Sequence, residues 1–313
     1  MRLFKLLAAA AVAVAVAGPA SAFEIGVIGF QFTADTHARV ANAAKDAAEA
    51  KGWDVTLLNS EGSLPKHAEQ FDALIAKGVD AIIVAMGKPV EADAQFEAAK
   101  NAGIPVITVQ SGASPHALFE IQANEYKIGA DAALYLLGLM GYEGKILESR
   151  FEMNAASRIR GKVLDMVLTE NPQVEVLGSF SMNRTRSWRD DVRTGMQALL
   201  LRHQGQVEGI WVSFDGQAYI IDDLLQAQGV ERGQIPMVSV DGGEETYRRI
   251  ADPNSSLLAT VTIPFEEMGA AAVDAVERIV VNGEPKENIT AGPYLFMDAV
   301  LVDENNVGDF LKE

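Results

Sequence analysis

From Phe23 onward, short apolar runs alternate with longer stretches in which apolar residues recur at helical spacing. The pattern predicts a strand over 23–30 (FEIGVIGF), a helix over 37–52 and a strand over 53–60. A helix over 64–78, a strand over 79–86 (VDAIIVAM), a helix over 91–103 and a strand over 104–110 (IPVITVQ) follow. Gly52, Gly78 and Gly103 stand where each helix should stop. Strand and helix alternating through short loops is the mark of a parallel sheet with helices on both faces.

The second half repeats the order. Strands are predicted over 144–151, 174–180, 207–214 and 235–241, with helices over 156–171, 189–203 and 219–229. Two strings show the duplication directly. GIPVITVQSG (103–112) and QIPMVSVDGG (234–243) share Ile-Pro, a β-rich apolar run and a small polar turn. The expected fold is therefore α/β: two parallel-sheet lobes with helices on both faces, the repeats differing in the polar residues that end the strands.

Ahead of this pattern lie Arg2 and Lys5, the apolar run LLAAAAVAVAVA (6–17) and the small-residue ending Ala20-Ser21-Ala22. That order predicts a secretory signal peptide over 1–22, removed near Ala22. The run is well short of the roughly 20 residues that span a bilayer, so a protein soluble outside the cytoplasm, without direct membrane insertion, is expected. The chain has 313 residues and no cysteine, so its core must carry stability without disulfides. The leader holds two of the 26 basic residues and none of the 43 acidic ones, which leaves 24 against 43, a net −19. Such an acidic chain argues against nucleic acid and anionic lipid as partners.

Ligands of open parallel sheets bind beyond the carboxyl ends of the strands, where the next helix presents free N–H groups. In the first lobe those ends offer Phe30, Thr33, Gln110 and Ser111. In the second they offer Arg158, Trp188, Phe214, Asp215 and Asp241. Carboxylate and guanidinium groups make strong directional bonds to hydroxyls, and aromatic faces cover the C–H side of a sugar. The set suits a small neutral molecule with many hydroxyls. Asp215 and Asp241 equally suit helix caps, Trp188 packing on its own lobe and Phe214 a core position.

Several strings together, GVDAIIV, NAGIPVITV, RIRG (158–161), VDGG and LLATVTIPFEEMGAAAV (257–273), resemble the type I periplasmic binding proteins, the ribose and galactose binding group in particular. The resemblance implies two Rossmann-like, doubly wound parallel-sheet lobes joined by a three-crossing hinge near Asn124, Thr262 and Pro293. The first lobe would comprise 23–124 and 264–293, and the second 125–263 and 294–313. It implies a periplasmic monomer that captures a monosaccharide, cyclitol or polyol between its lobes and delivers it to the membrane permease of an ABC importer. It also carries Arg158, Phe214, Asp215 and Asp241 over as sugar contacts, with Trp188 a looser match. The first wall departs from the family: Thr33, Thr36 and His37 replace an Asn and paired Phe, Gln110-Ser111 replaces Asp-Arg, and Thr262 replaces the Gln before Pro264. A different role for the same closure, signalling to a chemoreceptor or sensor kinase, uses the same lobe surfaces.

Other chemistries find no support in the sequence. GFQFTADTH is not a phosphate-binding Gly-rich turn, and no G-x-S-x-G elbow occurs. The four histidines, 37, 67, 116 and 203, lack metal spacing. DENNVG from Asp303 starts like a calcium loop but places Val307 at its fifth position. No enzyme activity, cofactor or metal is expected.

Overall fold

A computed structural model of the protein describes residues 22–87, 92–183, 185 and 187–311. The predicted leader, apart from Ala22, lies outside the described residues.

The first sheet contains β1 (Glu24–Gly29), β2 (Asp54–Asn59), β3 (Ala81–Ala85), β4 (Val106–Val109), β5 (Glu120–Ala123) and β11 (Tyr294–Met297), in the order β11-β5-β4-β3-β1-β2. The second contains β6 (Gly144–Arg150), β7 (Val174–Ser181), β8 (Gly209–Val212), β9 (Met237–Asp241), β10 (Leu257–Thr262) and β12 (Val300–Asp303), in the order β12-β10-β9-β8-β6-β7. Position for position, the two orders are the same. All pairings are parallel except β10 with β12. Central strands such as AIIVA of β3 and GIWV of β8 are buried along their whole length, as expected where helices cover both faces.

Helices α1 (Asp35–Ala50), α2 (Leu64–Lys77) and α3 (Asp93–Asn101) follow the first three strands. Helix α4 (Glu125–Leu139) leads into the second lobe, followed by α5 (Ala155–Thr169), α6 (Trp188–Arg202), α7 (Asp215–Ala227) and α8 (Glu244–Ala251), and α9 (Phe265–Val276) returns to the first. Local chemistry fixes the ends. Ser63 accepts from the Lys66 amide ahead of α2, and Gly78 ends that helix in the left-handed conformation at φ +75°. Asn124 caps α4, and Asn154 caps α5 by accepting from the Ser157 amide.

The chain passes between lobes at Asn124, between Thr262 and Phe265, and between β11 and β12. The last passage lies a few residues beyond the Pro293 expected from the resemblance. Residues 294–297 pair with β5 in the first sheet, because the Tyr294–Met297 register runs alongside Glu120–Ala123. Only from Val300 does the chain lie in the second. Two close helix contacts flank the cleft. A Cβ on Gly269 of α9 would stand 2.4 Å from the Val40 carbonyl oxygen of α1, and one on Gly129 of α4 would stand 2.9 Å from the Cα of Arg160 in α5. Each glycine lets its helix seat against the helix that follows the first strand of its lobe.

Candidate functional site

The carboxyl ends of both sheets face one another across a cavity of about 290 Å³. Nine of the twelve residues singled out from the sequence line it: Phe30, Thr33, Thr36, His37, Gln110, Ser111, Trp188, Phe214 and Asp241. Phe30 and Thr33 come from the β1–α1 connection, and Thr36 and His37 from the first turn of α1. Phe30 is almost fully buried, its ring edge-on to His67 at 5.8 Å, and the Gln31 amide donates to His37 Nδ1 at 3.2 Å. On the opposite wall Phe214 lies between Trp188 and Phe151, with centroids 5.8 and 6.1 Å away. Aromatic surface thus borders the cavity from both lobes.

Three backbone positions at the strand ends are unusual. Met86, Gln110 and Asp241 have φ of +55°, +48° and +131° although none is glycine. Such conformations cost free energy and persist where surrounding structure imposes them, often at ligand sites. The cause is visible beside Gln110. Ser111 Oγ accepts from the Gly87 amide at 2.7 Å and lies within bonding distance of the Val84 and Val109 carbonyls, while Glu120 Oε1 accepts from the Ser111 and Gly112 amides at 2.7 and 3.0 Å. The turn is pinned on every side, which aims the Gln110 side chain. Ser111 lines the cavity, but its hydroxyl is already committed to this turn.

At the centre of the second wall stands Arg160, which is buried. Its Nε donates to Glu125 Oε2 at 2.6 Å, and its Nη1 donates to the Ser213 carbonyl at 2.9 Å and to Asp241 Oδ1 at 3.3 Å. Burial works against its charge, but Glu125 and Asp241 outweigh that, so its pKa stands above the ordinary arginine value. Asp241 is pushed the other way. Burial, with nearby Asp215 and Glu125 adding to it, raises its pKa although Arg160 pulls it down. Among the described residues the Nη2 of Arg160 has no hydrogen-bond partner, and Glu125 Oε1 and Gln110 Nε2 are buried with none. The cavity wall therefore carries donors and acceptors held in place by neighbours yet unfilled on one side.

The remaining three candidates lie elsewhere. Arg158 does not reach the cavity: α5 is capped at Asn154 so that Arg160 faces inward, and Arg158 turns back to donate to the Glu152 carbonyl at 2.7 Å. Asp215 is fully buried in the second lobe. Helix α7 starts at this residue, four earlier than the periodicity suggests, and Phe214 occupies the N-cap. The Asp215 carboxylate accepts from the Gly242 amide at 2.7 Å, from Thr246 Oγ1 at 2.6 Å, from Thr260 Oγ1 at 3.0 Å and from the Ser239 hydroxyl. It fixes the Asp241–Gly242 turn from behind. Thr262 packs under Gly242 and accepts from the Tyr247 hydroxyl at 3.2 Å. A Cβ at Gly242 would lie 2.5 Å from its Oγ1, so this close approach, with a φ of +78°, requires glycine.

Sequence reasoning missed Arg160, Glu125 and Glu120. The RIRG string pointed to the right turn of helix but not to which arginine faces in. The two glutamates lie on β5 and α4, elements that the alternating pattern did not delimit.

The profile of the periplasmic binding protein domain matches residues 25–285, and the chain belongs to this family. It is a family of solute-binding components of ABC transporters, proteins without enzymatic activity. The chain is 27% identical over 268 residues to the xylitol-binding protein of Mycolicibacterium smegmatis, covering 83% of this chain and 72% of that protein. It is 24% identical to the ribose import binding protein of Bacillus subtilis over 246 residues, 78% and 77% of the two chains. Among solved structures, an ABC sugar transporter subunit from Rhodobacter sphaeroides superposes with a TM-score of 0.79 at 26% identity, covering 90% of this chain and 98% of the other. A solute-binding protein from Agrobacterium vitis with bound allitol gives 0.80 at 25% identity, covering 92% and 97%. Among the described residues no helix is long and apolar enough to cross a membrane.

Proposed function

We propose that the protein captures a small neutral polyol or monosaccharide between its lobes and presents it to the permease of an ABC importer. The observation that carries this reading is the Glu125–Arg160–Asp241 chain of charges, two of them buried and Asp241 half-buried at the cavity. Its guanidinium and carboxylates are oriented by one another, while among the described residues Arg160 Nη2 and Glu125 Oε1 have no hydrogen-bond partner. A hydroxyl both donates and accepts, so a molecule bearing several satisfies such a mixed set without bringing a charge. The rings of Phe30, Phe214 and Trp188 suit the C–H faces between the hydroxyls. The names of the relatives, for xylitol and ribose, agree with this class.

The same reading makes Phe30, Gln110, Arg160, Trp188, Phe214 and Asp241 ligand contacts, and makes the mature protein a periplasmic monomer released near Ala22. It makes each lobe a closing half, the first holding both β5 and β11. Thermal-shift measurements on refolded, ligand-free protein against xylitol, allitol, D-ribose, L-arabinose and neutral hexoses test it. A binder raises Tm as RT ln(1 + [L]/Kd) requires, and calorimetry then gives Kd. A panel without any shift, alongside a shift with a charged solute such as an amino acid, overturns the assignment.

A further inference from the structure

Glu120 is an unexpected residue for a buried strand position. It opens β5, which lies between β4 and β11, and its side chain is fully buried on the cavity wall. One carboxylate oxygen is occupied: Oε1 accepts from the Ser111 and Gly112 amides. The other, Oε2, is buried and has no hydrogen-bond partner among the described residues. No ion pair among them involves Glu120 either. Buried acceptors are nearly always satisfied by protein, water or ligand, since a desolvated and unpaired one is costly. Gln110, which lines the same cavity and precedes the turn that Glu120 fixes, carries a buried donor in the same condition, Nε2, on a backbone with φ of +48°. One cavity wall thus holds a buried donor and a buried acceptor without hydrogen-bond partners among the described residues.

Resting on the polyol reading above, we propose that Glu120 is a specificity-determining residue, anchoring the Ser111–Gly112 turn with Oε1 and accepting a ligand hydroxyl with Oε2, next to the Gln110 amide that donates to a neighbouring ligand oxygen. The first lobe then reads an adjacent pair of ligand oxygens through one carboxylate and one amide. The carboxylate comes from the strand after the turn, not from the turn itself, where the sequence has Gln110 and Ser111. Burial is the leading cause that raises the Glu120 pKa to about 7; the Thr108 hydroxyl and the Gly112 and Ser111 amides oppose it, without a countercharge to help them.

Glu120→Gln separates the two roles. The amide oxygen can take over the two turn amides, so its NH₂ would then occupy the position of Oε2 and present a donor where the ligand needs an acceptor. Calorimetry of wild type and E120Q with xylitol, allitol, D-ribose and L-arabinose should show wild type binding at least one probe. E120Q should bind that probe at least ten-fold more weakly, with the order of preference among probes altered and Tm lowered only slightly. A merely structural role would leave affinities within two-fold across the panel, and that result overturns the inference while leaving the polyol reading intact. Wild type that binds none of these probes and no neutral hexose, but does bind a charged solute, removes the reading, and the inference with it. Should E120Q fail to fold, Glu120→Asp serves instead. It retains a carboxylate for the turn but withdraws it by one methylene, so ten-fold weaker binding is expected and unchanged binding refutes the proposal.

Discussion

Arg39 Nη1, on the first helix of the first lobe, donates to the Gly242 carbonyl of the second lobe at 2.6 Å. The rest of the guanidinium is held within its own lobe. Nε and Nη2 donate to the two carboxylate oxygens of Glu266 at 2.7 and 2.9 Å, and the group lies 5.1 Å from the centre of the Phe265 ring. Gly242 follows Asp241 directly, and the space above Gly243 is filled by Arg39 as well, 3.0 Å from where a Cβ would stand. The turn that carries a proposed ligand contact is therefore also the turn that the other lobe grips.

A contact between lobes contributes only when the cleft is closed, so its loss should appear in ligand affinity more than in the stability of either lobe. Charge-assisted hydrogen bonds contribute about 1.5–3 kcal/mol. Arg39→Gln is expected to weaken binding of whichever probe the thermal-shift panel identifies by about ten-fold or more, mainly through faster release. Stopped-flow dissociation rates test this. An unchanged release rate would mean that the two lobes stay closed without this contact.

The alternation of strands and helices was legible because parallel strands buried on both faces read as unbroken apolar runs, and because Gly78 and its counterparts punctuate the helices. The repeat was legible because both sheets use one strand order. Residue-level detail in the cleft was less so. Arg158 and Arg160 are two apart on one helix, and which of them faces inward depends on the rotation of α5. The Asn154 cap and the seat of Gly129 against Arg160 set that rotation, and both are spatial relations. Asp215 looked like a strand-end ligand group, whereas its strand had already ended at Val212. Glu120 was hidden because an acid in a four-residue strand resembles a solvent-facing position, and its burial depends on β11 arriving from the far end of the chain.

Asp241 should anchor the ligand from the second lobe. A polyol of about ten heavy atoms bound at about 1 μM requires roughly −8.2 kcal/mol. That is about −0.8 per atom, inside the ceiling of about −1.5 for very small ligands, and it demands that nearly every hydroxyl be paired. Asp241→Ala is expected to weaken binding ten- to several hundred-fold and Gln110→Ala by less, with both proteins folded. Titration calorimetry beside circular dichroism checks each. Wild-type affinity in a folded Asp241→Ala protein would reduce this residue to a support for the turn.

Asp215 should behave in the opposite way. Four donors converge on its buried carboxylate, and removing it leaves several of them unsatisfied at about 1–3 kcal/mol each. Asp215→Ala is expected to destabilise the protein by at least about 3 kcal/mol, and Asp215→Asn, which keeps one acceptor oxygen, by less. Denaturant unfolding measures both. A stable Asp215→Ala protein that had lost only ligand binding would return Asp215 to the list of direct contacts.

Glu120 gives the ligand-free protein a pH signature of defined sign. Its carboxyl group titrates at about 7 in the folded protein against 4.5 for an unperturbed glutamate, with burial as the leading cause. Below pH 4.5 the group is protonated whether the chain is folded or not. Between 4.5 and about 7 the unfolded chain releases this proton while the folded one retains it, so the unfolded state binds fewer protons and stability falls as pH rises. The contribution is present at low pH and is lost as pH climbs through the folded value. Other carboxylates also titrate in this range, so absolute melting temperatures do not isolate the effect, but comparison with a variant that cannot titrate does. The Tm of Glu120→Gln minus that of wild type, both without ligand, is expected to become more positive from pH 5 to pH 8, with most of the change above 4.5 and complete somewhat past 7. A difference that stays flat across that interval would show that the Glu120 carboxyl group ionises as freely in the folded protein as in water, and that water or another partner already satisfies its second oxygen.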